Sequence, residues 1–425
     1  MGAKKLFKNE FVRDFSTLLS GALIASALPL IFSPFISRLF TPVQFGVLGV
    51  VTAILSSLSN VAGGRYDLAV MLPEKNEDST SLVHLGSIIS LIVALIGLVA
   101  LFFGNSFILE ELKIQSLGWY SLLIPVLLWF MAIYKPFNFW MNRNRMYKQN
   151  SLAKITQGVS ISAFTLVLGY IQLEQGLVLG YFLGWLVYIS VIIYMVHQSG
   201  DFTFNISIPD IKRVAKEYSD FPRFNIVSSF LNDSASYMAV FVITFLFSAE
   251  ETGYYNFSRQ YLFVPLSLLS VTLSNVYFQR IASKINKRES LKKEFKIVSV
   301  LLISVSILSI VTIFFFGEWI FNFVFGEDWS YSGKISAVLI IGFAAKFMVS
   351  PFGQLIIALK QLKLALVFPI VYFGLMLSLY FMPEQPFEQF LKYLVSFEVI
   401  SYLIYLGVAV YCLSDYENKI RASAS

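Results

Sequence analysis

The midpoint of the sequence reads DFTFNISIPDIKRVAKEYSDFPR over residues 201–223, and this is the longest polar interruption in an otherwise apolar chain of 425 residues. Four apolar residues recur there at the spacing of one helix face: Ile208, Ile211, Ala215 and Tyr218. Ser207 followed by Pro209 is typical of a helix start, and Pro222 is typical of a helix stop or kink. The stretch therefore predicts an amphipathic helix on a membrane surface that joins two membrane-embedded halves. A plain charged linker helix is the alternative.

Composition supports this interpretation. Hydrophobic residues make up 57% of the chain and charged residues only 14%, whereas soluble domains carry about 25% charged residues. One cysteine and two histidines are too few for an internal disulfide or a cysteine–histidine metal cluster. The net charge of +6 comes from loops between apolar segments, so it does not indicate a nucleic-acid partner. The sequence thus predicts a polytopic membrane protein.

A membrane-spanning helix needs about 20 apolar residues, and twelve such segments can be placed. Six precede the polar stretch: Thr17–Leu39, Phe45–Gly63, Leu82–Phe103, Gly118–Met141, Leu152–Ile171 and Gly176–Val196. Six follow it: Phe224–Phe247, Gly253–Phe278, Ile297–Phe316, Ile335–Ala358, Ala365–Phe381 and Phe390–Leu413.

The equal numbers on the two sides suggest a repeated architecture, as in many transporters. We expect an all-α membrane protein whose twelve transmembrane helices form two six-helix bundles around a central cavity. The expected domains are a first bundle at residues 1–200, a cytoplasmic amphipathic linker at 201–223 and a second bundle at 224–425. If both termini are cytoplasmic, most of the 32 Lys and Arg residues fall on the inner side and the outer loops are acidic or neutral, which fits the positive-inside rule.

Motifs for chemistry are missing from the sequence. It contains no Gly-rich phosphate loop followed by Lys-Ser/Thr, no Ser/His/Asp or Cys/His constellation and no metal-ligand spacing. We therefore expect neither an enzyme nor a bound cofactor or metal. What remains is charge inside the membrane, which is costly and usually faces a water-filled cavity or a partner.

The charged candidates are few. Four cations can meet an anionic substrate in a cavity: Arg65, Lys135, Arg259 and Lys346. Three acids can couple transport to an ion or pair with a cation: Asp67, Asp233 and Glu398. Each has a simpler interpretation as well. Lys135 can extend to the inner surface, and Asp233 and Glu398 can merely neutralise neighbouring cations.

Prolines within the predicted helices, among them Pro136, Pro265 and Pro351, predict kinks that are either mobile during transport or static.

Three stretches resemble a known family. Residues 29–54 read PLIFSPFISRLFTPVQFGVLGVVTAI, residues 64–73 read GRYDLAVMLP, and residues 358–366 read ALKQLKLAL. Residues 221–282, with a GYYNFSR turn region and a proline-containing helix, are similar as well. Together they resemble the oligosaccharide flippases of polysaccharide biosynthesis, which belong to the same superfamily as the multidrug exporters of the MATE type.

The resemblance implies translocation of undecaprenyl-diphosphate-linked oligosaccharides across the bacterial cytoplasmic membrane by alternating access, for O-antigen, capsule or exopolysaccharide synthesis. It implies that Arg65, Arg259 and Lys346 meet the anionic substrate and that Asp67 partners Arg65. A polysaccharide polymerase, a chain-length regulator and H⁺ or Na⁺ are the further partners that it suggests, besides the lipid bilayer itself.

Four alternatives stay open at this point. A cation-coupled drug or metabolite exporter would have a cavity dominated by acids, whereas cations here at least match them. A flippase for the peptidoglycan lipid precursor would resemble its relatives in having about two more helices. A membrane-embedded polymerase or ligase would carry a long outer loop with catalytic groups. A scaffold of a glycan-synthesis complex would transport nothing.

Overall fold

The computed structural model describes residues 28–365 and 367–424, and every regular element in these ranges is helical. The chain forms two compact units, of which unit 1 ends at Tyr237 and unit 2 begins at Met238. The predicted division around a linker at 201–223 stays a prediction.

Unit 1 contains seven α-helices and the start of an eighth within the described residues: α1 (28–36), α2 (Pro42–Ser59), α3 (Asn76–Glu111), α4 (Leu123–Arg143), α5 (Tyr147–Tyr170), α6 (Gly176–Ser199), α7 (Ile208–Glu217) and α8 (Asp220–Leu246). Unit 2 contains the end of α8 and these helices: α9 (Ala249–Asn286), α10 (Lys292–Phe325), α11 (Ser330–Val349), α12 (Gly353–Ala358), α13 (Leu362–Ala365), α14 (Val367–Ser378) and α15 (Phe387–Ala424).

Ten helical segments in the described residues are long and apolar enough to cross a membrane. They correspond to ten of the twelve predicted helices, so the all-α membrane fold is confirmed. The first predicted helix begins outside the described residues. The eleventh corresponds to the apolar stretch Val367–Phe381, which is shorter than the about 20 residues of a full span. The count of twelve and the cytoplasmic termini stay predictions.

Helix boundaries differ from the predicted ones in two ways. Several helices are longer, since α3 begins at Asn76 rather than Leu82 and α9 ends at Asn286 rather than Phe278. A run of apolar residues marks only the part of a helix that lies in lipid. The backbone hydrogen bonds of the helix continue beyond that part through turns of polar residues. The predicted helix Ile335–Ala358 is instead interrupted by a 3₁₀ turn at Ser350–Phe352, because Pro351 lacks an N–H and clashes with the preceding turn.

Glycines allow the helices α5 and α6 of unit 1 to pack closely. Gly180 and Gly184 lie one turn apart on α6 and face α5. A β-carbon at Gly184 would overlap the Ile161 side chain and lie 2.8 Å from the Ile161 backbone nitrogen, and one at Gly180 would lie 2.8 Å from the Thr165 Cα. The two helices therefore meet backbone to backbone, as small residues allow in membranes. Unit 2 repeats this at Gly333 on α11, where a β-carbon would lie 2.6 Å from a carbonyl oxygen of α10.

The linker helix α7 packs on unit 1. Val214 is fully buried, and Ile211, Ala215 and Tyr218 pack against the same core. The Arg213 guanidinium donates to both carboxylate oxygens of an α3 aspartate, Asp78, at 2.6 and 3.2 Å. A helix is thus present within the predicted linker, and three of the four apolar residues of the predicted face pack against unit 1 while Ile208 is 63% exposed. Its position on a membrane surface stays a prediction.

Candidate functional site

A polar network in unit 1 is centred on Asn60, the residue that follows α2. The Lys135 ammonium of α4 donates to Asn60 Oδ1 at 2.5 Å and to Ser59 Oγ at 3.1 Å. Asn60 Nδ2 in turn donates to Asp233 Oδ2 of α8 at 2.6 Å. One neutral amide therefore connects a cation and an acid that come from different helices.

The turn after α2 brings a second cation to this network. Gly64 and Arg65 both adopt left-handed backbone angles, with φ of 68° and 59°, and such angles are uncommon for a residue with a β-carbon. Arg65 donates to Asn60 Oδ1 at 3.5 Å and lies 3.7 Å from Asp67. Its Nε is buried and has no hydrogen-bond partner among the described residues. The turn therefore places the Arg65 guanidinium inside the protein, where its Nε can still donate a hydrogen bond.

Asp67 is the acid of this turn and is itself buried. Burial raises the pKa of its carboxyl above the ordinary value, against the opposing attraction of Arg65 and Lys135. The fold therefore favours the protonated form of Asp67 more than water does.

Unit 2 holds a second cluster around Glu398 of α15. This carboxylate is 7% exposed and accepts a hydrogen bond from the Tyr372 hydroxyl of α14 at 3.3 Å. The positive charges of Lys346 and Arg259 both act on it. Gly342 of α11 faces the carboxylate, and a β-carbon there would overlap Oε2. The acid therefore occupies space that only a glycine leaves open.

Lys346 of α11 lies beside a cavity. Its ammonium is 4.2 Å from the centroid of the Phe263 ring, a cation–π contact, and within the described residues it makes no ion pair or hydrogen bond. The cavity has a volume of about 130 Å³, and Ser270 lines it together with Lys346. The Ser270 hydroxyl is buried and has no hydrogen-bond partner in the described ranges. A positive charge and an unsatisfied hydroxyl therefore face the same small space, which suits an anionic or strongly polar group.

Both clusters lie next to a proline inside a helix. Pro136 directly follows Lys135 in α4, and Pro265 lies within α9 close to Phe263. A proline in a helix interior removes one backbone hydrogen bond and bends the helix. Lys135 and Arg259 are therefore carried on helices with an interior proline, whereas Lys346 and Glu398 lie on helices without one.

The predicted residues thus fall into two groups, although their roles stay predictions. One group lies in the unit 1 network: Arg65, Asp67, Lys135 and Asp233. The other lies in the unit 2 cluster: Arg259, Lys346 and Glu398. The Lys135 ammonium donates to Asn60 and Ser59 in this network. In the described residues, no group of three or more His, Cys, Asp or Glu side chains could hold a metal ion.

Sequence reasoning missed the uncharged members of both groups. Asn60 could have been found, because an amide at the end of an apolar helix is unusual enough to mark a polar contact. Tyr372, Gly342 and Ser270 carry no such signal, since each residue type is common in membrane helices.

Comparisons with known proteins agree with this architecture. The profile of a family described as polysaccharide biosynthesis protein matches residues 35–334. No curated protein matches the chain. Among solved structures, the lipid II flippase MurJ in an inward closed conformation is similar with a TM-score of 0.71 at 13% identity, covering 95% of this chain and 92% of that one.

Two further structures share the fold at the same low identity. An inward-facing multidrug resistance MATE family transporter of the MOP superfamily has a TM-score of 0.63 at 13% identity and covers 92% of this chain and 96% of its own. A mutant of the Vibrio cholerae MATE transporter VcmN has a TM-score of 0.56 at 13% identity, with 99% of both chains covered. At this identity the likeness establishes the fold.

Proposed function

Because the chain belongs to the polysaccharide biosynthesis protein family, we propose that it is a flippase for undecaprenyl-diphosphate-linked oligosaccharide repeat units. It moves them from the inner to the outer leaflet of the bacterial cytoplasmic membrane for O-antigen, capsule or exopolysaccharide synthesis. The chain is a multi-span membrane protein, and its fold is that of a lipid II flippase and of MATE transporters.

The observation that carries the proposal is the Lys346 cavity. A phosphate or sugar group cannot cross about 30 Å of hydrocarbon without polar contacts that replace its water. Lys346 supplies a positive charge that acts on Glu398 without forming an ion pair within 4.0 Å among the described residues, and Ser270 supplies an unsatisfied hydroxyl beside the same cavity. Arg65 with its unsatisfied Nε offers a comparable contact in unit 1.

The cations have the role of substrate contacts in this proposal. Arg65, Lys135, Arg259 and Lys346 meet the anionic parts of the cargo. Asp67 orients Arg65, from which it is 3.7 Å away.

The remaining acids are the candidates for energy coupling to H⁺ or Na⁺. Asp233 is held by Asn60, and Glu398 is held by Tyr372, so each is positioned where a change of its charge alters a polar network. Asp233→Asn and Glu398→Gln remove the titratable group and preserve its size. If both variants transport normally across a series of pH values and sodium concentrations, the coupling role is wrong.

The function itself is tested in a strain that lacks this chain. We expect the lipid-linked repeat unit to accumulate on the inner leaflet and the surface polysaccharide to disappear, because synthesis continues while translocation stops. The wild-type chain should restore the surface polysaccharide and Lys346→Gln should not. Lys392→Gln, at an exposed position, is the matched control and should restore it.

Two results would contradict the proposal. Unchanged surface polysaccharide together with higher sensitivity to cationic compounds would indicate an exporter. Loss of surface polysaccharide without accumulated lipid-linked repeat would indicate a polymerase or a scaffold, which acts at a different step.

A polymerase and a chain-length regulator are the protein partners we expect for a flippase, and co-purification with the tagged chain tests this.

A further inference from the structure

An open groove on unit 1 belongs to neither charged cluster. It lies between the end of α1 with the residues that follow it and the last turns of α5, and it is lined by Phe35, Leu39, Val167 and Tyr170 among others. Its volume is about 520 Å³, and ligand pockets in proteins measure roughly 300–1,000 Å³.

One wall of the groove is formed by close packing of the residues after α1 on α5 and α6. Phe40 packs its ring against α5 and the start of α6, where Gly169 and Gly176 leave room for it. A β-carbon at Gly169 would lie 2.7 Å from the Phe40 ring and 3.0 Å from Cβ of Leu39. Leu39 and Phe40 therefore both pack directly on α5 at Gly169.

The lining of the groove is apolar except for one cationic side chain and the tyrosine hydroxyl. Arg38 is exposed and lines the groove. In a bilayer an apolar groove alone selects nothing, because lipid chains are as apolar as the residues they would touch. A guanidinium binds phosphate through two parallel hydrogen bonds, and its five donors allow this in addition to other contacts. Selection among lipids therefore depends on the charge of the headgroup near Arg38.

We propose that the groove binds an acidic phospholipid of the surrounding bilayer. One acyl chain lies along Phe35, Leu39 and Val167, and the phosphate contacts Arg38. Tyr170, the last residue of α5, is an aromatic residue of the kind that is enriched where headgroups meet the hydrocarbon. This site is independent of the proposed transport function.

Native mass spectrometry of the full chain tests the proposal. The protein is reconstituted in nanodiscs with equal amounts of phosphatidylglycerol and phosphatidylcholine, and the lipids retained after mild release are identified. We expect wild-type protein to retain phosphatidylglycerol preferentially. Arg38→Gln should lower this preference about fivefold, the effect of one basic residue near an anionic lipid, whereas Arg38→Lys should keep most of it.

A second variant tests the groove itself. Val167→Trp fills the groove and should lower the retention of both lipids. Val99→Trp adds the same bulk at an exposed position of α3 and should change nothing. Equal retention of both phospholipids by wild-type protein, or an unchanged preference in Arg38→Gln, would overturn the proposal. It would also be overturned if protein purified from cells retains a polyprenyl diphosphate in the groove in place of a phospholipid.

Discussion

Replacing Gly342 with alanine tests the geometry around Glu398. The added β-carbon would overlap Oε2 of Glu398 and lie 3.4 Å from its Cδ. Because Glu398 is only 7% exposed, its carboxylate cannot turn into solvent. We expect it to leave its preferred rotamer and to weaken the hydrogen bond from Tyr372.

The size of the effect follows from these two changes. An off-rotamer side chain costs about 0.5–1.5 kcal/mol, and a typical hydrogen bond contributes about 0.5–1.5 kcal/mol. Together they predict a loss of about 1–3 kcal/mol in the free energy of unfolding, the usual range for overpacking. For a unit the size of unit 2, each kcal/mol lowers Tm by about 2–4 °C. We therefore expect Tm to fall by about 2–12 °C.

The chain carries its own probe for this measurement. Cys412 is the one cysteine in the sequence and is buried in unit 2, so a thiol-reactive fluorophore labels it when unit 2 unfolds. Gly407→Ala is the matched control, because it lies in the same helix as Glu398 and its added β-carbon meets nothing within 4 Å. Its Tm should stay the same or rise slightly, since alanine is the better helix former.

A double mutant decides whether the clash is the cause. With Glu398→Ala already present, Gly342→Ala should cost almost nothing, because the overlapping oxygen is gone. If the two losses add, or if Gly342→Ala alone unfolds at the wild-type temperature, the reasoning about this site is wrong.

Three further predictions concern unit 1. Asn60→Leu should destabilise it by roughly 1–4 kcal/mol, because Lys135 and Asp233 lose their shared hydrogen-bond partner; thermal unfolding followed by tryptophan fluorescence measures this, and an unchanged Tm would contradict it. Arg213→Ala should loosen α7, which the buried Val214 still anchors, and modestly speed tryptic cleavage of the linker, with little change in Tm because exposed ion pairs contribute little; wild-type cleavage rates would contradict it. Burial raises the pKa of Asp67, so the fold favours its protonated form, and its contribution to stability is present at low pH and lost as pH rises through the raised pKa. Asp67→Asn should flatten that part of the pH dependence of Tm, and an unchanged pH profile would refute the assignment.

The membrane helices could be predicted from the sequence because their cause is local. A run of about 20 apolar residues must form a helix in lipid, whatever its neighbours are. The polar extensions of α3 and α9 could not be predicted, since helices outside lipid depend on tertiary packing. The break after Val349 was visible only as Pro351, and proline alone does not distinguish a kink from a helix end.

The charged residues of the candidate site were predictable for a similar reason. A charge within an apolar run is costly and therefore conspicuous. Their partners were not predictable, because they depend on which helices meet. Nothing in the sequence places Asn60 next to Asp233, or Gly342 next to Glu398. The pattern of apolar residues indicated the helix α7, but pattern alone does not tell that three of those residues pack against unit 1.

The backbone contact between α5 and α6 has a consequence for how the gene can vary. Every amino acid other than glycine has a β-carbon, so every missense change in the codon for Gly184 places an atom within 2.8 Å of the Ile161 backbone. The codon for an exposed position such as Val99 has no such restriction. In a saturation mutagenesis library selected for surface polysaccharide, nearly all substitutions at Gly180 and Gly184 should therefore be lost. Most apolar substitutions at exposed positions of the same helices should be kept.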